Sequence, residues 1–166
     1  MRLRQIDLLG QGFGALVAAE LAATRTTQVR RLVLVSPPAA EIREAGQRAP
    51  SADGSHLLEE WRRAASHCGP GAPPELVNAA LAERLRNGLA GAAATAAERG
   101  YPLRSRLAAI AVPLLVLRLR DEAAAQKGQP RDLPARARLI ELPAPGASLF
   151  ETAPDAAAQA LESFMR

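Results

Sequence analysis

The stretch Leu8–Ala22, LLGQGFGALVAAELA, constrains the fold more than any other part of this 166-residue chain. A β-like run, Leu3–Leu9, stops at Gly10. Phe13–Thr24 then carries apolar residues at helical spacing, and the pattern predicts that Leu16, Val17, Ala18, Leu21 and Ala22 share one buried face. A strand that becomes a helix across so short a turn needs a backbone free of side-chain clashes, which glycine provides. Two arrangements use this path. One lays a dinucleotide pyrophosphate on glycine-lined backbone; the other presents a serine nucleophile at a sharp bend.

The rest of the chain sets the context for that choice. Arg30–Ser36, Pro113–Leu119 and Ala137–Leu142 read as buried strands. Pro154–Met165 reads as a closing helix with proline in its first turn, its apolar face formed by Ala157, Ala160, Leu161 and Phe164. Between the second and third strands lies a different kind of sequence. Residues 39–54 are loop-like, and His56–Ser66 is helical, with Ser55 as the expected cap and Leu57, Leu58, Trp61 and Ala65 as the expected stripe. After a Gly-Pro break come helices over Glu75–Arg86 and Leu89–Arg99. Alternating strands and helices predict an α/β fold: a mostly parallel sheet of about four strands flanked by helices. Residues 1–38 and 100–166 would form the core, and 39–99 a helical insertion.

Composition limits the functional classes. Apolar residues make up 48% and charged residues 23%, as in a globular domain, while aromatics are only 3%. The net charge of +4 is spread among arginines and acids, without a basic block or an aromatic stacking platform. No nucleic-acid partner is expected. Cys68 is the lone cysteine, and His56 and His67 lack metal-ligand spacing, so neither a metal site nor a disulfide is expected. Adjacent residues on a helix diverge by about 100°, so His67 and Cys68 do not form a nucleophile–base pair, and Cys68 reads as an inert, partly buried thiol. Trp61 reads as core or pocket wall. With neither a secretory signal nor a membrane-length apolar run, a cytoplasmic location without membrane association is the default expectation.

Gly10-x-Gly12-x-x-Ala15 fits the dinucleotide fingerprint, but the next strand ends Val35-Ser36-Pro37-Pro38, without the acid that would bind a ribose. No cofactor is expected. The segment IDLLGQGFGALVAAELAATRTTQVRRLVLVSPP instead resembles the nucleophile-elbow region of the α/β-hydrolase superfamily, where the turn is G-x-S-x-G. DGSHLLEEWRRAA resembles part of that superfamily's helical cap. RLAAIAVPLLVLRLRDE resembles the strand that delivers the catalytic acid. ARLIELPAPGASLFETAPDAAAQALESFMR resembles the last strand, histidine loop and final helix. The resemblance implies a partial α/β-hydrolase fold with a cap inserted at 39–99.

Carried over position by position, the resemblance puts the nucleophile slot on Gly12, the acid slot on Asp121 or Glu122, and the histidine slot on Ala147. Glycine cannot attack a carbonyl, and alanine cannot relay a proton. The implied function is a non-catalytic, ligand-binding or subunit-partner module. Its pocket candidates are Gln11, Gly12, Phe13, Ser36, Ala147 and Ser148, and it would take a small apolar ligand. The alternative is a divergent hydrolase or lyase that uses non-standard residues or is completed by a partner chain. Family members also place strands before the elbow strand, which here starts almost at Met1. The Arg2–Leu9 edge is therefore expected to be covered by a second copy or a partner subunit.

Overall fold

The computed structural model describes residues 5–38, 50–119, 133–142 and 149–166. Four strands, β1 (Ile6–Gln11), β2 (Val29–Val35), β3 (Leu114–Leu119) and β4 (Ala137–Leu142), form one sheet in the order β1-β2-β3-β4. Every pairing is parallel. Parallel neighbours need crossovers, and the helices supply cover for both faces of the sheet. Helix α1 (Phe13–Thr24) joins β1 to β2; α2 (Ser55–Cys68), α3 (Pro74–Gly100) and α4 (Leu103–Ala109) lie between β2 and β3; α5 (Leu149–Thr152) and α6 (Pro154–Met165) close the chain.

The two-residue period of a strand divides the core in two. Leu32 and Leu34 of β2, with Leu114 and Val116 of β3, face α1 and α4 and pack with Leu16, Leu107 and Ile110. Val33 and Val35, with Leu115 and Leu117, face the other way and pack with Leu149, Ala157 and Ala160. Burial on both faces explains why these strands read as continuous apolar runs. The expected face of α6 is found, with Ala157 and Ala160 buried and Leu161 and Phe164 packed against them.

Two helix faces differ from expectation. In α1 the buried residues are Ala15, Leu16, Ala18, Ala19 and Ala22, while Val17 is 48% and Leu21 42% exposed. Alanines let the helix lie close on the sheet, and the larger side chains on its far side are left uncovered. In α2 the buried face is Glu60, Ala64 and Cys68, whereas Leu57 and Leu58 are exposed. Glu60 can be buried because Arg63 and Arg84 reach its two carboxylate oxygens at 2.9 and 3.1 Å. Helix α3 breaks at Gly88, which separates the two helices expected there. The short helices α4 and α5 were not expected.

Ser55 is not the cap of α2; it is the first helical residue, after Gly54. Capping comes from further upstream. The Asp53 carboxylate accepts the Ser55 N–H at 3.1 Å, and Ser51 Oγ accepts the His56 N–H at 3.2 Å. His56 Nδ1 in turn accepts the Ser51 N–H at 3.1 Å. The Ser55 N–H, then the Ser51 and Ser55 hydroxyls, hold the Asp53 carboxyl down from 3.8 to about 2. A depressed carboxyl stabilises the fold above its ordinary value and loses that contribution as pH falls through the folded value. The first turn of α2 is therefore expected to fray between pH 3.8 and about 2. An NMR titration of the Asp53 carboxyl carbon should show a midpoint near 2; a midpoint at 3.8 would mean the cap does not form in solution.

Candidate active-site elbow

At the carboxyl end of β1 the chain reverses into α1 through a single residue, Gly12. Its N–H donates to Val35 O at 3.0 Å, tying the bend to β2, and its carbonyl accepts the Ala15 N–H at 3.0 Å, opening the helix. Gly12 has φ 53° and ψ −124°, a backbone conformation that strains any residue with a side chain. A Cβ built at Gly12 would meet nothing within 4 Å. The bend therefore has room for a side chain, pointing outward, at a position where this chain has none.

Gly10 has the opposite role. A Cβ there would lie 2.2 Å from Gly14 O and 2.8 Å from Ala15 Cα. Strand and helix approach so closely at this point that only glycine fits. Close helix–strand packing is thus what the first glycine of the motif provides.

The register sets the neighbours of the bend. Gln11 pairs with Val35, and Val35 with Leu117, so three strand tips end side by side. Ser36 follows immediately, its N–H donating to Leu117 O at 2.9 Å. Among the described residues it is the only non-glycine with positive φ, at 43°. Its buried Oγ has no hydrogen-bond partner among the described residues. An unsatisfied buried hydroxyl costs about 1–3 kcal/mol, and such costs concentrate at functional positions. No signal in the sequence announced this strain; Ser36 stood out only for its place at a strand end.

Of the pocket candidates, Gln11, Gly12, Phe13 and Ser36 thus share the carboxyl edge of the sheet, with Phe13 43% exposed. Asp121, Glu122, Ala147 and Ser148 lie outside the described residues. β3 ends at Leu119 and β4 at Leu142, which pair with each other in register. Among the described residues no group of His, Cys, Asp or Glu could hold a metal ion, and no helix is long and apolar enough to cross a membrane. Cys68 is buried in the α2–α3 cluster with Ala64 and Val77, and Trp61 packs against that cluster. On the far side of α1, the Tyr101 hydroxyl donates to Glu20 Oε2 at 2.9 Å and Arg106 pairs with the same oxygen at 3.0 Å. Burial first, and then Glu20, push the Tyr101 hydroxyl well above its ordinary value.

A parallel sheet with an elbow of this shape, and helices on both faces, defines a partial α/β-hydrolase fold. Solved structures agree. The chain is similar to an enol-lactonase from Burkholderia xenovorans, with 21% identity and a TM-score of 0.70 over 98% of this chain and 66% of that one. It is similar to an N-acyl homoserine lactone degrading enzyme, at 15% identity and a TM-score of 0.76, covering 98% and 68%. A hydrolase from Pseudomonas aeruginosa shares 29% identity with a TM-score of 0.65, covering 98% and 65%. The chain thus spans about two thirds of the length of these structures. No protein-family model matches the sequence, and no curated protein matches it.

Proposed function

We propose that this chain is a pseudo-hydrolase: an α/β-hydrolase-like module, with 39–99 as its cap, that binds a small apolar ligand or a partner rather than turning over a substrate. The observation that carries this reading is Gly12. The elbow keeps the backbone path that presents a nucleophile, and the residue at its apex has no nucleophilic atom. A ligand would sit over the strand tips, against Gln11, Gly12, Phe13 and Ser36. The Phe13 N–H, in the first turn of α1, is one donor of an oxyanion-hole type, and one such donor without a nucleophile and base supports little chemistry.

Ser36 favours a second reading, a divergent hydrolase or lyase that uses a non-standard residue, because its buried hydroxyl, at the same edge, is unpartnered among the described residues. A fluorophosphonate probe and p-nitrophenyl esters separate the two. The unmodified protein is expected to show neither labelling nor turnover, and Gly12→Ser to be labelled at residue 12. Adding Ala147→His to Gly12→Ser is expected to raise ester turnover above background. Turnover by the unmodified protein that Ser36→Ala abolishes would overturn the proposal in favour of the enzyme.

A further inference from the structure

Helix α3 consists of two rods, and the joint between them is made by the backbone of one residue. Gly88 interrupts the helix with φ 47° and ψ −134°, a region that only glycine enters without strain. A Cβ built there would meet nothing within 4 Å. The obstacle to any other residue is therefore conformational, with no contribution from packing. Nor does packing fix the angle of the joint. From Asn78 to Gly100 no described residue is buried.

The two rods belong to different bodies. Leu76, Val77, Ala80 and Leu81 of the first rod pack with Ala64 and Cys68 of α2, and Arg84 reaches the buried Glu60. All of these α3 residues precede Gly88. Their cluster shares no residue with the two clusters that flank the sheet. The second rod leads to Tyr101, which packs against the sheet cluster containing Leu16 and Leu107 and donates to Glu20 of α1 at 2.9 Å. A helical pair with its own apolar contact is thus joined to the sheet through an alanine-rich rod, and Gly88 is where the two meet.

We propose that Gly88 is a hinge about which residues 55–87 swing as one body. Two states of the joint compete. In the bent state, described above, Gly88 keeps its positive φ. In the straight state residue 88 takes helical angles, and α3 runs unbroken, regaining the backbone hydrogen bonds lost at the break. Glycine is poor in a helix interior and free at positive φ, so it brings the two states close in energy; alanine has the opposite preferences. Gly88→Ala is therefore expected to shift the ratio toward the straight state by about 100-fold. The consequence for ligand entry rests on the reading of 39–99 as a cap over the strand tips; the motion itself does not.

Pairs of nitroxide labels, read by pulsed dipolar spectroscopy on the full chain carrying Cys68→Ala, test the hinge. Val17→Cys with Ala82→Cys spans the joint, and Leu58→Cys with Ala82→Cys lies within the swinging body; all three positions are exposed. The spanning pair is expected to show two distance populations and the within-body pair one. Gly88→Ala should leave a single spanning distance and an unchanged within-body distance. A single spanning distance in the parent overturns the proposal, as does a second population in the within-body pair, or a Gly88→Ala variant that keeps both spanning populations as they were. The parental distances decide even where Gly88→Ala does not fold. No ligand enters these measurements, so their failure leaves the pseudo-hydrolase reading to its own test.

Discussion

Gly10→Ala is expected to destabilise the protein by about 3 kcal/mol, the upper end of the cost of overpacking, or to prevent folding altogether. The added carbon would sit 2.2 Å from Gly14 O, and what it meets is the backbone of α1, with no flexible side-chain tip able to move aside. Relief requires lifting the helix from the sheet, which would open the contacts of Ala15, Ala18, Ala19 and Ala22. Gly12→Ala, two residues on, meets open space and carries only the strain of its positive φ, about 1–2 kcal/mol. Urea denaturation of the two variants should therefore rank them clearly. Equal midpoints would show that strand and helix do not approach as described. The contrast also bears on the motif itself: one glycine is demanded by packing, and the other only by conformation.

Removing both arginines from the α2–α3 ion cluster, with Arg63→Ala and Arg84→Ala, is expected to cost about 3–5 kcal/mol, whereas Glu60→Met should cost about 1 kcal/mol or less. The asymmetry follows from burial. The Glu60 side chain is 2% exposed, while those of Arg63 and Arg84 are 30% and 31% exposed. Stranded guanidinium groups can turn to water; a stranded carboxylate cannot. Because Cys68 lies on the same buried face as Glu60, its reactivity toward a thiol reagent reports opening of that pair of helices. The double arginine variant should react much faster than the parent, and Glu60→Met about as slowly. If Glu60→Met proved the more damaging change, the carboxylate would have to be holding the helices together by more than neutralised charge.

Much of the fold was legible because strands buried on both faces leave a plain signal. The runs at Arg30–Ser36 and Pro113–Leu119 each hold at least four consecutive aliphatic residues, and β2 and β3 lie within a residue of them. Helix α1 was legible in extent and misread in orientation. Leucine and valine outrank alanine in any apolar pattern, yet alanine is what a helix needs where it touches a sheet closely. The face of α2 was misread for a related reason: a glutamate at a core position looks like solvent until its two arginines, one of them in another helix, are placed beside it. Helix α4 escaped because a helix of seven residues gives too little period to detect. At the site, Gly12 could be found by spacing from its flanking glycines. The strain and the orphaned hydroxyl of Ser36 could not, since both are consequences of where the β2 tip meets β3.

The hydrogen-bonded neighbours β2 and β3 are separated along the chain by everything from Ser36 to Pro113. Closing a loop of that length costs entropy before any strand pairing repays it, which slows folding through high contact order. Helices α2 and α3 are near neighbours in sequence and pack on each other. Assembled early, they would shorten the effective tether between the two strands and so guide the slow step.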